Sequence, residues 1–191
     1  MKLVLATQNS NKVKEIKVLL PENFDLISLK DLNFSEDIKE TENTFQGNAL
    51  LKAKYIAEKF NANVISDDSG LEVEALNYEP GVFSARYFGE NATDIENVDY
   101  LLKNLSGKEN RKARFISVIC LILDGQEYFF EGEIKGEITF EPKGTTGFGY
   151  DPVFIPENSN QTFAEMTMEE KNKFSHRAKT IEKLIFFLQQ C

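Results

Sequence analysis

Apolar residues recur along the chain in two rhythms, short unbroken runs and stripes at helical spacing, and the two alternate. Residues 2–6, "KLVLA", form a run suited to a strand; in residues 11–20, Val13, Ile16, Leu19 and Leu20 fall three and four apart and predict a helix. A second helix is predicted over 44–60, where Phe45, Ala49, Ala53, Ile56, Ala57 and Phe60 share one face, and the strand "NVIS" follows at 63–66. The opening order β, α, α, β predicts a mixed α/β sheet. "TDIE" at Thr93–Glu96 reads as a capping box, with Ile95, Val98, Leu101, Leu102 and Leu105 striping the helix behind it. "ARFISVICLIL", Asp124-Gly125 and "QEYFFEGEI" predict a long β-hairpin, which "GEITF" continues. "TMEE" at Thr167–Glu170 caps a short helix, and Ser175 stands ready to cap a last one striped by Ala178, Ile181, Leu184, Ile185 and Leu188.

Composition adds bounds. A chain of 191 residues can bury roughly 70% of its unfolded surface, enough for a core without staples. Of the two cysteines, Cys120 sits inside an apolar run and Cys191 is outside any prenylation motif, so a reducing cytoplasm is expected. The opening segment is too short in apolar residues for a signal peptide, and no run approaches a membrane span. A net charge of −9 argues against nucleic-acid binding, because a phosphate backbone is gripped by clustered Lys and Arg. A small phosphorylated ligand remains open if a few placed cations and a metal meet it.

Five segments carry candidate chemistry. "TQNSNK", residues 7–12, joins a strand to a helix whose first N–H groups can face an anion; the same residues suit an ordinary polar cap. In "KETENTFQGNALLK", Asn48 and Lys52 share a helix face and Glu40 lies upstream. "SDDSG" sets Asp67 and Asp68 side by side at a predicted strand end, either as a turn or as a carboxylate pair whose repulsion a cation relieves. "PKGTTGFGYDP" interleaves Gly144, Gly147 and Gly149 with Phe148 and Tyr150, glycines for close backbone approach and rings for stacking on a flat base. "KNKFSHR" gathers Lys171, the single histidine His176, and Arg177 at a helix start.

Together these segments resemble the inosine triphosphate pyrophosphatases, the Ham1-like non-standard purine nucleoside triphosphatases. The likeness runs nearly end to end through "TQNSNK", "TFQGNALLKAK", "DDSGLEVEAL", "PGVFSAR", "GFGYDPVF" and "EEKNKFSHR". The resemblance implies one domain over residues 1–191, an elongated α/β fold with two lobes around a central substrate cleft, and a homodimer. It implies that Thr7, Gln8, Asn9, Ser10, Asn11 and Lys12 hold the triphosphate, that Glu40 and Asp68 hold Mg²⁺, and that Lys52 supports the reacting phosphate. Asp68 is also the implied proton acceptor. Ser69, Phe148, Gly149, Tyr150, Asp151, Lys171, His176 and Arg177 are the implied substrate contacts, the last members reaching the base. Two positions depart from the family pattern: Gly47 stands where many members carry an acid, and Glu42 where many carry glycine.

The implied reaction cuts between the α- and β-phosphates, so cations must neutralise the leaving pyrophosphate while a carboxylate such as Asp68 orients one water. Asp67 alongside raises the basicity of Asp68. A fixed donor at the base edge would select a 6-oxo group over the amino group of adenine. Two other readings stay open on the residues alone: a binding module without turnover, and a phosphatase that removes a terminal phosphate.

Overall fold

A computed structural model describes residues 1–21 and 23–190; Cys191 lies outside the described residues. The chain forms two compact units. The first comprises Met1–Asp68, Ser117–Gly132 and the chain from Arg177; the second comprises Ser69–Ile116 and Glu133–His176. The fold is mixed α/β, with one six-stranded sheet in the order β2-β1-β3-β4-β5-β6 and flanking helices.

In the first unit, β1 (Lys2–Leu5) pairs in parallel with β2 (Asp25–Ser28) on one side and with β3 (Val64–Val73) on the other. Between them come α1 (Ser10–Leu19) and α2 (Phe45–Phe60). The opening order is therefore β, α, β, α, β, which corrects the predicted β, α, α, β. The missed strand, "DLIS", sets two apolar residues between two polar ones, which is neither an unbroken apolar run nor an alternation.

The strands of this unit are apolar on both faces because both faces are covered. Leu3, Leu5, Ile65, Ile119 and Leu121 pack with Ile16 of α1 and with Ile181, Leu184 and Leu188 of α5 (His176–Leu188). Their neighbours Val4, Ala6, Val64, Cys120 and Ile122 pack with Ala49, Ala53 and Ile56 of α2. Period-2 alternation thus sends successive residues of one run into two different cores.

The hairpin is as predicted: β4 (Lys112–Leu123) and β5 (Gln126–Ile138) are joined by Asp124 (φ +50°) and Gly125 (φ +81°). Two left-handed residues give the turn whose twist matches the strands. In the second unit, α3 (Asp94–Asn104) buries Val98 and Leu101 against Leu71, Val73, Phe115, Ile138 and Phe154. The short β6 (Phe154–Pro156) pairs antiparallel with β5, and α4 (Met168–Lys171) carries its predicted capping box. Among the described residues no helix is long and apolar enough to cross a membrane.

The capping box at the head of α3 has Thr93 Oγ1 accepting from Glu96 N, while the Glu96 carboxylate accepts from Thr93 N at 2.8 Å. Replacing Thr93 by Ala removes one half of this exchange. Urea unfolding of Thr93→Ala is expected to show a loss of ~1 kcal/mol with an unchanged slope.

Candidate active site

The charged groups of the first unit collect where the middle of β3 meets α1, α2 and α5. "SDDSG" is not a strand end, as its sequence suggested, but the interior of a ten-residue strand. Asp67 and Asp68 therefore point to opposite faces, and each meets different partners. Asp67 is fully buried: its Oδ2 lies 2.8 Å from Lys12 Nζ and 3.4 Å from the Arg177 guanidinium, and its Oδ1 accepts from Ser117 Oγ at 2.6 Å. Arg177, itself buried, also pairs with Glu15 of α1. Burial alone would raise the Asp67 carboxyl, but Lys12 and Arg177 outweigh it and hold the group well below the usual carboxylate range.

Asp68 belongs to a second cluster. Lys52 of α2 places its ammonium 2.5 Å from Glu40 Oε1, 3.4 Å from Asp68 Oδ1 and 3.0 Å from the carbonyl oxygen of Asp67. Burial would lower the Lys52 pKa, yet Asp68 and Glu40 raise it on balance. The Asp68 carboxyl shifts the other way from Asp67. Burial raises it, Lys52 and Lys12 only partly oppose this, and the charges of Glu40 and Asp67 add to the rise. Its Oδ2 is buried with no hydrogen-bond partner among the described residues. One turn before Lys52, the buried Asn48 accepts from Glu42 N at 3.0 Å and so ties the Glu40 loop to α2.

The phosphate-loop candidate largely satisfies itself in this state. Asn9 caps α1 by accepting from Asn11 N and Lys12 N, Thr7 Oγ1 accepts from Asn9 N, and Gln8 donates to Glu36 O. Ser10 opens the helix, and Lys12 turns to Asp67.

In the second unit, "GFGYD" is built around Asp151. Its Oδ2 receives the Lys171 ammonium at 2.7 Å and Phe148 N at 3.0 Å, and Lys171 lies 5.1 Å from the centre of the Phe148 ring. Gly147 has φ +76°, and a β carbon there would sit 2.1 Å from Asp151 Oδ2. Gly149 N donates to Asp94 Oδ2 at 2.7 Å, tying the loop to the first residue of α3. Ser69 is half-buried on β3, and His176 stacks on Phe115 with ring centres 4.8 Å apart.

Residues 3–187 match the model of the Ham1 family, a span that runs through both units. The chain belongs to the Ham1 family. It is 51% identical over 188 residues to a dITP/XTP pyrophosphatase of Flavobacterium johnsoniae, covering 98% of each chain. Among solved structures it is similar to a Ham1 protein from Coxiella burnetii, with a TM-score of 0.92 and 39% identity over all of both chains. It is also similar to the Staphylococcus aureus Ham1 protein, with a TM-score of 0.90 and 40% identity over 100% of this chain and 99% of that one.

Within this Ham1 chain, the first unit brings together Lys12, Glu40, Lys52, Asp68 and Arg177, and the second brings together Phe148, Gly149, Asp151 and Lys171. Three sequence expectations change. The aspartate pair does not wait as a unit for a cation, since Asp67 already holds two. The Tyr150 ring is no stacking platform: it is buried in the core and its hydroxyl donates to Ser84 O at 2.9 Å. The expectation that Arg177 donates to a base edge did not include the two carboxylates that hold it. The two departures from the family pattern touch each other, because a β carbon on Gly47 would lie 2.8 Å from Glu42 Cβ. Glu15, Ser117 and Asp94 were missed. Ser117 had a signal, as the polar residue inside "FISVICLIL"; Glu15 within a helical stripe and Asp94 within "TDIE" carry no signal that sets them apart from ordinary helix residues.

Gly147→Ala must both adopt a left-handed backbone and push a methyl into Asp151. Thermal or urea unfolding is expected to show a loss of at least ~1 kcal/mol, whereas Gly149→Ala, with φ +59° and open space at its β carbon, should lose less.

Proposed function

We propose that this chain is a Mg²⁺-dependent nucleoside triphosphate pyrophosphatase that converts ITP, dITP and XTP to monophosphate and pyrophosphate, clearing them before they enter DNA or RNA. The observation that carries this reading is the Lys52 ammonium set between Glu40 and Asp68, with the second oxygen of Asp68 buried and partnerless among the described residues. Relatives named as dITP/XTP pyrophosphatases support the dITP and XTP part of this reading. A buried carboxylate oxygen with no donor suits a hard dication, and Mg²⁺ is commonly held by one or two carboxylates with substrate phosphates completing its shell. Glu40 and Asp68 would hold it, and when bound it supplies charge neutralisation at the phosphates.

The chain's own groups do the rest. Residues 7–12 receive the triphosphate at the N-terminus of α1, with the Lys12 ammonium as their cation. Lys52 places its charge beside the phosphate that reacts. Asp68, with its raised pKa, takes the proton of a water whose oxygen bonds to the α-phosphorus, and the bond from that phosphorus to the bridging oxygen breaks to release pyrophosphate. Ser69, Phe148, Gly149, Asp151, Lys171 and His176 are assigned to the rest of the substrate, the loop backbone rather than the Tyr150 ring serving the base. A single family domain, a homodimer and a cytoplasmic location complete the reading. Net charge of −9 speaks against nucleic acid as a partner, and the buried Cys120 thiol, pushed up to about 12 by burial, is an inert group.

Separation of the products formed from ITP tests this. IMP with pyrophosphate is the expected result; IDP with phosphate would make the protein a terminal phosphatase, and no product would leave a binding module. Activity should disappear with chelator and return with Mg²⁺; full turnover in metal-free buffer would remove the cation from the scheme. Asp68→Asn should lower kcat by roughly 10²-fold or more while far-UV circular dichroism is retained.

A further inference from the structure

Asp67 has no part in the reaction just described, yet it touches every cation of the first unit's site. Its carboxylate meets Lys12 and Arg177, and its carbonyl oxygen accepts from Lys52 at 3.0 Å. Its side chain is fixed from behind by Ser117, whose own carbonyl accepts from Thr180 of α5 at 3.3 Å. Arg177 is shared with Glu15. We propose that Asp67 is a positioning residue: a fixed, buried anion that holds the Lys12 ammonium ready for phosphate and keeps it off Asp68.

The argument is one of geometry and competition. The Lys12 ammonium also lies 3.5 Å from the Asp67 carbonyl oxygen, the same oxygen that accepts from Lys52, the partner of Asp68, so it stands beside both clusters. It is the Asp67 contact, at 2.8 Å, that it makes. Without a carboxylate on that face, Arg177 would keep Glu15, but the partly buried Lys12 would lose its carboxylate partner, and Asp68 beside Lys52 would compete for it. Lys12 would then neutralise the carboxylate assigned to the metal and leave the place assigned to phosphate. Asn at 67 keeps the shape and can still accept from Ser117, but presents an N–H₂ donor to two cations. The carboxylate is therefore needed for charge, while Ser117 decides where the charge sits.

This inference rests on the assignment of Lys12 to phosphate, and its test does not depend on turnover. Wild type, Asp67→Asn, Lys12→Ala and the double variant are compared by calorimetric binding of inorganic tripolyphosphate, with urea unfolding of each. Asp67→Asn is expected to weaken binding by about 10-fold or more in the wild-type background and by less than about 3-fold when Lys12 is already Ala. Factors that simply multiply would show that Asp67 serves the fold alone and would overturn the proposal. Failure of wild type to bind tripolyphosphate would overturn it too, by removing phosphate from Lys12. Should Asp67→Asn not fold, Ser117→Ala runs the same cycle, with a weakening of about 3-fold or more expected only where Lys12 is present; equal effects in both backgrounds would overturn it. With ITP, the Asp67→Asn loss should fall mainly on KM, unlike the kcat loss of Asp68→Asn. Wild type that binds tripolyphosphate with the expected coupling, yet releases no IMP, would sink the proposed function and leave this inference standing.

Discussion

A strand that carries two adjacent aspartates through a protein interior must find a counter-charge for each, and the first unit is arranged around how β3 does so. Strand alternation separates the two carboxylates onto opposite faces, where Lys12 and Arg177 meet one and Lys52 meets the other. Ions taken out of water cost several kcal/mol each before pairing, so such pairs are weak sources of stability; breaking one strands the partner at about 3–5 kcal/mol. The arrangement is therefore better understood as a device for placing charge than as a device for holding the fold together. Two apolar cores, above and below the sheet, do the holding.

The two faces put the carboxylates in opposite electrostatic states. Asp67, with two cations and a hydroxyl, is pinned in its ionised form. Asp68 shares one ammonium with Glu40 and keeps an oxygen with no donor among the described residues, so burial makes it the more basic of the pair. Residues one apart in sequence thus suit different tasks, one a constant charge and the other a base and ligand. Lys52 ties the two together through the Asp67 carbonyl, and Asn48, four residues earlier on α2, ties the Glu40 loop to the same helix.

The second unit solves a simpler problem by similar means. Asp151 is buried, finds its counter-charge in Lys171, and uses the same oxygen to hold the backbone of Phe148. A side chain at 147 would occupy that space, which is why glycine stands there. The contact between Gly47 and Glu42 in the first unit is of the same kind: the acid lies over the helix where no β carbon obstructs it. In both places glycine gives a carboxylate-bearing side chain room, and the loop follows.

Sequence alone determined most of the local structure and the family. Helical stripes, the capping boxes at Thr93 and Thr167, and the Asp-Gly turn depend on neighbours within a few residues, so α1, α2, α3, α5 and the β4–β5 hairpin were legible before any fold was known. The motifs in their order identified the family without geometry. Tertiary structure decided what each polar group meets. That β3 continues through "SDDSG" depends on pairing with distant strands, and once it does, alternation sends Asp67 towards residues 12, 117 and 177. Burial of Tyr150 and the capture of Arg177 by Glu15, 162 residues away, likewise arise from packing between distant segments. The energy of a buried charge depends on its surroundings in space, and spacing along the chain carries no record of them.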